Sequence, residues 1–280
     1  MNEPRRPSND DRISQLRQAI GAIESTSADM VRRPRQDSDA TSPTAQSNAG
    51  RQAFPVITYP DMPEGDDWIH RVPARYHDGE RGFDRRIMED LAAVGVPCYT
   101  LSDLQKVRTI PQGIPIFLDW LTHLEARIPG PETRHRAIIR GDLIRNLNDP
   151  AAKGNRDVIE ALLGQLRHQP PLDSETLDFA VRALTRLASK KDFALIAGLL
   201  DELPPAVPKG PLIEYMGKVK TPEAREIALR YLDTEWTYFA LKALIAMKAE
   251  GVRDRIEPHM KDANSMVRRY ARQAMEKLPA

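Results

Sequence analysis

The chain has 280 residues, 41% of them hydrophobic and 29% charged, with a formal net charge of +1. That is enough apolar surface for a core and too little net field to select nucleic acid or membrane, so any electrostatic preference must come from how the charges are distributed. No run of about 18 apolar residues occurs, the basic start MNEPRRPSNDDR has no apolar stretch behind it, and Cys98 is the lone cysteine; this argues against a transmembrane helix, a secretory signal and an intramolecular disulfide, and makes the cytoplasm the default expectation.

Residues 1–55 are rich in Ser, Asn, Gln, Asp, Arg and Pro, and RQDSDATSPTAQSNAGR (35–51) has no large apolar side chain. Such a segment cannot bury enough surface to offset its ordering entropy, so it reads as a disordered tail. Within it Ile13, Leu16, Ile20 and Ile23 recur at helical spacing, weakened by Gly21. A short amphipathic helix over 11–24 would be either transient or a motif that folds into a partner's groove. Residues 56–110 read as an extended segment and a helical cap. Pro60, Pro63 and Pro73 lie among Tyr59, Trp68, Ile69, Val72 and Tyr76, which would be costly to expose together. An extended run across the folded domain is expected there. A helix follows from Gly82 to Val94, with Phe83, Ile87, Met88, Leu91 and Val94 on one face and Gly95 and Pro97 as its stop. Cys98 sits in apolar company and reads as a packing residue. Ser102 is the expected N-cap of a short helix through Val107.

From Pro111 to the end, apolar helical segments alternate with short breaks carrying Pro, Gly, Asp or Asn. Three segments align without gaps: Phe179 to Leu187, Phe239 to Met247 and Tyr270 to Leu278. Each reads aromatic, Ala, two residues, Ala, Leu or Met, two residues, Leu or Met. The alanines let helices approach, and the longer residues fill the groove between them. Weaker copies cover Ile139 to Leu147 and Leu212 to Val219, and the period is about 30–40 residues. First helices are expected near 112–124, 156–167, 192–203, 222–232 and 252–261. Two antiparallel helices cannot hide both apolar faces alone, so neighbours must supply the core.

The last unit, KDANSMVRRYARQA (261–274), resembles the turn and second helix of a HEAT repeat, with Asp262 before the pair Val267 and Arg268 and small residues after it. DLAAVGVP (90–97), LSDL (101–104) and IPIFLDWL (114–121) are similar to the start of uncharacterised bacterial HEAT-repeat proteins. The resemblance covers residues 111–280, and LPPAVP (203–208) lengthens one turn beyond the pattern. It implies an all-α fold: a right-handed α-solenoid of about five HEAT-like helical hairpins, with an N-terminal helical cap and the disordered tail. It also implies that Asp262 and Arg268 tie one repeat to the next, and that the second helices line a concave face.

No HExxH, CxxC, GxSxG or Gly-rich phosphate loop is present. His70, His77, His123, His135, His168 and His259 make no i, i+4 pair with a carboxylate partner. No catalytic residue, metal or cofactor is therefore expected; Glu132, Asp142 and Glu214 are acid–base candidates only as any carboxylate is. Trp120 lies in an apolar run and reads as core. Trp236 opens the fourth second helix beside Tyr238 and Phe239, as packing or as an aromatic platform. The second helices carry a basic excess: Arg134, Arg136, Arg140 and Arg145; Arg182, Arg186, Lys190 and Lys191; Lys209, Lys218 and Lys220; Lys242 and Lys248; Arg268, Arg269, Arg272 and Lys277. The first helices carry Asp119, Glu125, Asp192, Asp201 and Glu202. Either this is a basic face or the charges pair between units.

The candidate binding residues are Arg182, Arg186, Trp236, Tyr238, Lys242, Arg268, Arg269 and Arg272. The expected function is protein–protein interaction or scaffolding along the concave face, with no membrane partner. The alternative is a nucleic-acid binder, such as a HEAT-like DNA glycosylase, although that family's catalytic motif does not map onto these residues. A HEAT-like lyase acting on a tetrapyrrole is a third option that neither Cys98 nor the histidines favour. A chain beginning near Phe54 is expected to keep the helical signal and cooperative melting of the full sequence; a large loss of either in circular dichroism would make residues 1–55 part of the core.

Overall fold

The computed structural model describes residues 57–77, 79, 81–205 and 207–279, so the tail and its 11–24 segment lie outside the described residues. Among the described residues all regular structure is helical, and no helix is long and apolar enough to cross a membrane. Residues 57–77 are not simply extended. Two short 3₁₀ turns, Trp68–His70 and Ala74–Tyr76, interrupt them. The aromatics explain the folding back: Tyr76 stacks on Tyr99 at 5.1 Å and Trp68 meets the same ring edge-on at 5.5 Å, while the Tyr59 hydroxyl donates to the Pro97 carbonyl.

Helix α1 (Arg85–Ala92) is shorter than its apolar pattern. Asp84 caps it by accepting from the Arg86 N–H, while Ile87, Met88 and Leu91 are buried. Cys98 is fully buried, its Sγ 3.4 Å from Met88 Sδ. Thr100, not Ser102, caps the following 3₁₀ turn, Leu101–Lys106. Thr100 and Asp103 form a reciprocal capping box, and the earlier start brings both Leu101 and Leu104 inside.

Eleven further helices follow: α2 (Ile114–Thr122), α3 (Leu124–Arg127), α4 (Arg134–Leu147), α5 (Arg156–Leu166), α6 (Ser174–Leu187), α7 (Phe193–Glu202), α8 (Gly210–Val219), α9 (Pro222–Arg230), α10 (Thr237–Met247), α11 (Arg253–Ile256) and α12 (Ser265–Lys277). Thr133, Asn155, Asp173, Thr221 and Asn264 cap five of them with side-chain oxygens on first-turn N–H groups. Two expected first helices are broken. The first divides at His123 into α2 and α3. The last tightens after one α-turn into a 3₁₀ segment, Glu257–Lys261, where Pro258 removes a backbone donor.

The even-numbered helices pack in succession, α4 on α6, α6 on α8, α8 on α10 and α10 on α12. Each also meets an odd-numbered or early partner: α2 on α4, α5 on α6, α7 on α8, α9 on α8 and α10, α11 on α12. Ala180, Ala183, Ala240, Ala243, Ala271 and Ala274 are all fully buried at these seams. The tightest seam joins α8 to α10. A Cβ at Gly210 would collide with the Phe239 ring; one at Gly217 would lie 2.8 Å from Ala246 Cβ and 3.1 Å from the Ala243 backbone. Contacts 210 to 239 and 217 to 243 advance together, so the two helices run parallel. The odd-numbered side is marked by exposed ion pairs: Arg167 with Glu202 at 2.6 Å, Arg230 with Asp201 at 3.4 Å and Arg255 with Asp233 at 2.8 Å. Pairs this exposed contribute at most about 1 kcal/mol each and mark register more than stability.

Two helical glycines should respond to the same substitution with opposite sign. Nothing lies within 4 Å of a Cβ at Gly164 in α5, so Gly164→Ala is expected to stabilise by about 0.5–1 kcal/mol. Gly217→Ala meets backbone and is expected to destabilise by about 1–3 kcal/mol. Thermal melts that move in the same direction for both variants would contradict the seam.

Candidate functional site

The repeat's aromatic positions and the charges beside them form one stripe across the even-numbered helices. The Arg145 guanidinium of α4 lies over the Phe179 ring of α6 at 5.2 Å. On α6, Arg182 pairs with Asp178 at 2.6 Å; that bond raises the Arg182 pKa, and Glu214 of α8 adds to the effect. Glu214 in turn holds Lys242 of α10 at 2.6 Å. Burial opposes the Lys242 charge, but Glu214 outweighs it and the ammonium is held above its ordinary pKa. Lys242 sits over the Tyr238 ring at 5.4 Å. Tyr238 meets Phe239 and Tyr270 edge-on at 5.0 and 4.9 Å, and Trp236 lies 6.0 Å from Phe239. All four rings are partly buried against the core. Trp236 thus packs at the start of α10, and the apolar platform centres on Tyr238.

Of the candidates, the structure joins Tyr238 and Lys242 directly and Trp236 to them through Phe239, with Arg182 coupled to Lys242 through Glu214. Arg186, Arg269 and Arg272 are exposed and form no ion pair among the described residues. Arg268 turns back: its Nη1 donates to the carbonyls of Asp262 and Ala263 at 2.7 and 2.8 Å, so it braces its own turn. Phe179, Glu214 and Tyr270 belong to the stripe, although spacing did not single them out as binding residues. Their signal was the aromatic head of the repeat and, for Glu214, a carboxylate among the lysines of its helix.

The basic excess expected on α4 is largely internal. Arg140 is fully buried and Arg136 nearly so. Arg140 donates to Glu132 at 3.0 Å through Nε and through Nη2, to Glu125 at 2.6 Å and to Gln165 at 2.7 Å. Arg136 takes Glu132 at 2.6 Å and the Ile128 carbonyl. Burial pushes the Glu132 carboxyl up, but the two arginines outweigh it and leave its pKa below the ordinary range. Glu132 is therefore a structural anion, and Glu214 is held by Lys242. Among the described residues no group of three or more His, Cys, Asp or Glu is placed to hold a metal ion. Burial raises the Cys98 thiol well above its ordinary pKa, in keeping with packing. Trp120 is core, its Nε1 donating to Asp90 at 2.8 Å.

Asp142 differs from the other acids. It is 6% exposed, and burial pushes its pKa up to about 6 against the opposing pull of Arg145 at 3.1 Å. A carboxyl whose folded pKa exceeds its unfolded value favours the fold below pH about 4 and loses that contribution as pH rises to about 6. The difference in unfolding free energy between the parent and Asp142→Asn should therefore move by about 2 kcal/mol in the variant's favour across this window. Chemical denaturation at a series of pH values measures it, and a flat difference would show that Asp142 is not a titrating buried group.

Comparison with protein-family models, curated proteins and solved structures gives no match for this chain.

Proposed function

We propose that residues 111–280 form a right-handed, HEAT-like α-solenoid of about five helical hairpins that binds a protein partner along the face of α4, α6, α8, α10 and α12. Support for the architecture comes from the succession of even-numbered helices, each packed on the next, together with the HEAT-like turn at 261–274. The observation that carries the function is the stripe from Arg145 through Phe179, Arg182, Glu214, Lys242 and Tyr238 to Tyr270. It sets a carboxylate between cations and interleaves half-buried rings. Rigid aromatic area flanked by donors and acceptors suits a polypeptide, whose backbone and side chains offer both. A polyanion needs a row of uncompensated cations. Here Arg182 and Lys242 already have carboxylates, and Arg268 is spent on its own turn. This weakens the nucleic-acid alternative and its glycosylase form.

The test compares affinity capture from the native cell by the parent chain and by a Tyr238→Ala, Lys242→Glu variant, with and without nuclease. Proteins that survive nuclease and fall by about tenfold with the variant, a loss of about 1.4 kcal/mol, are the expected result. Capture that disappears with nuclease, or that ignores the variant, would reject the stripe as a protein site.

A further inference from the structure

The end of α6 gathers more cations than its own stability requires. The Lys218 ammonium reaches from α8 to donate to the Thr185 carbonyl at 2.7 Å, and the Gly154 N–H donates to the Leu187 carbonyl at 3.0 Å. These two bonds bring Lys218 and the turn bearing Lys153 to the helix end where Arg186, Lys190 and Lys191 stand. All five cations are exposed, and none forms an ion pair among the described residues. Burial first, then the charge of Lys153, lower the Lys218 pKa; Glu214 opposes them and Arg186 lowers it further, so Lys218 feels the repulsion of both cations. A helix C-terminus offers about half an elementary negative charge, too little to balance five cations. The neighbouring carboxylates are committed elsewhere: Glu214 to Lys242, and Asp192 to Arg156 and Ser189.

The patch is short. Farther along the even-numbered helices, Lys242 of α10 is held by Glu214, and Arg268 of α12 by the carbonyls of its own turn. A long polyanion would find no continuous track, whereas a few clustered carboxylates match the concentrated charge. We propose that the C-terminal end of α6 is a docking point for an acidic segment, a run of Asp and Glu side chains, on the protein partner; this rests on the reading of the chain as a protein-binding module. One Lys218 N–H is held by Thr185, which fixes the ammonium and leaves two donors for the ligand, while Arg186 can hold a carboxylate through two parallel N–H groups.

The experiment uses the full chain and a fluorescently labelled Asp/Glu-rich peptide, followed by anisotropy across a salt series. Lys153→Glu with Lys191→Glu reverses two exposed charges of the patch; Lys248→Glu with Lys277→Glu makes the same change in net charge elsewhere. Circular dichroism melts confirm that both fold. About a tenfold loss of peptide affinity in the first variant, with less than about a twofold loss in the second, is the expected result. No binding by the parent at low salt, equal losses in the two variants, or tighter binding of a short DNA duplex that the first variant abolishes would each overturn the proposal. The Tyr238→Ala, Lys242→Glu variant separates the two readings. If it loses the captured partner and keeps the peptide, both stand. If the peptide fails while capture through the stripe persists, only the α6 site falls.

Discussion

The distance at which neighbouring even-numbered helices can pack governs everything after the first hairpin. At the α8–α10 seam it is set by absent side chains: Gly210 lies under Phe239, and Gly217 lies against Ala243 and Ala246. At the α4–α6 seam, Phe179 lies 3.8 Å from where a Cβ of Gly141 would stand. In both seams a glycine on one helix faces the aromatic that heads the repeat on the next, but only at Gly210 would a Cβ collide with the ring; at Gly141 it would make ordinary contact. Between α10 and α12 no glycine is present, and Tyr270 meets Tyr238 edge-on instead. Close approach lets the leucines at the following positions interdigitate, as dense packing requires. It also leaves the receiving rings half-covered, which is why the packing rule and the aromatic stripe involve the same residues.

A second constraint acts around α4. Arg140 joins the α3 carboxylate Glu125, the loop carboxylate Glu132 and the α5 amide Gln165 from within the core. Such a network offsets its desolvation cost only when its donors are met, and removing one partner would strand a buried charge. Its benefit is specificity: it fixes where α3, the loop and α5 sit around α4. The exposed pairs on the odd-numbered side reach a similar end by weaker means, one pair per step.

The even-numbered helices were legible in the sequence because alanines and leucines at fixed spacing report a close-packed face directly. Their caps were not read from the sequence, although Thr133, Asp173 and Asn264 stand directly before α4, α6 and α12. The start of the 3₁₀ turn at 101 was harder: Ser102 and Thr100 are both hydroxyl residues, and the decision lies in burying Leu101 beside Leu104. The fate of the arginines was not legible. Arg140 and Arg182 look alike on helices of similar composition, but partners 8, 15 and 25 residues away draw Arg140 inward, while Arg182 finds Asp178 one turn back. The bonds of Arg268 were hidden for a related reason, since a long side chain can fold onto the turn that precedes it. The α8 segment matched the repeat weakly because it carries Gly210 under the Phe239 ring and Gly217 against Ala243 and Ala246.

The succession of nearest-neighbour contacts also has a mechanical meaning. Among the described residues, most of the closely packed helix pairs join neighbours in the row or in sequence, α2 with α5 being an exception, so the seams between neighbours carry most of the contact. A pull along the chain would be opposed by one seam at a time rather than by the whole core at once. The unit holding α11 has a single α-turn and a 3₁₀ segment against α12, so it would yield earliest, while the close-packed α8–α10 seam would hold longest. The solenoid proposed above would then extend in steps and recoil in steps, as a graded spring and not as a brittle body.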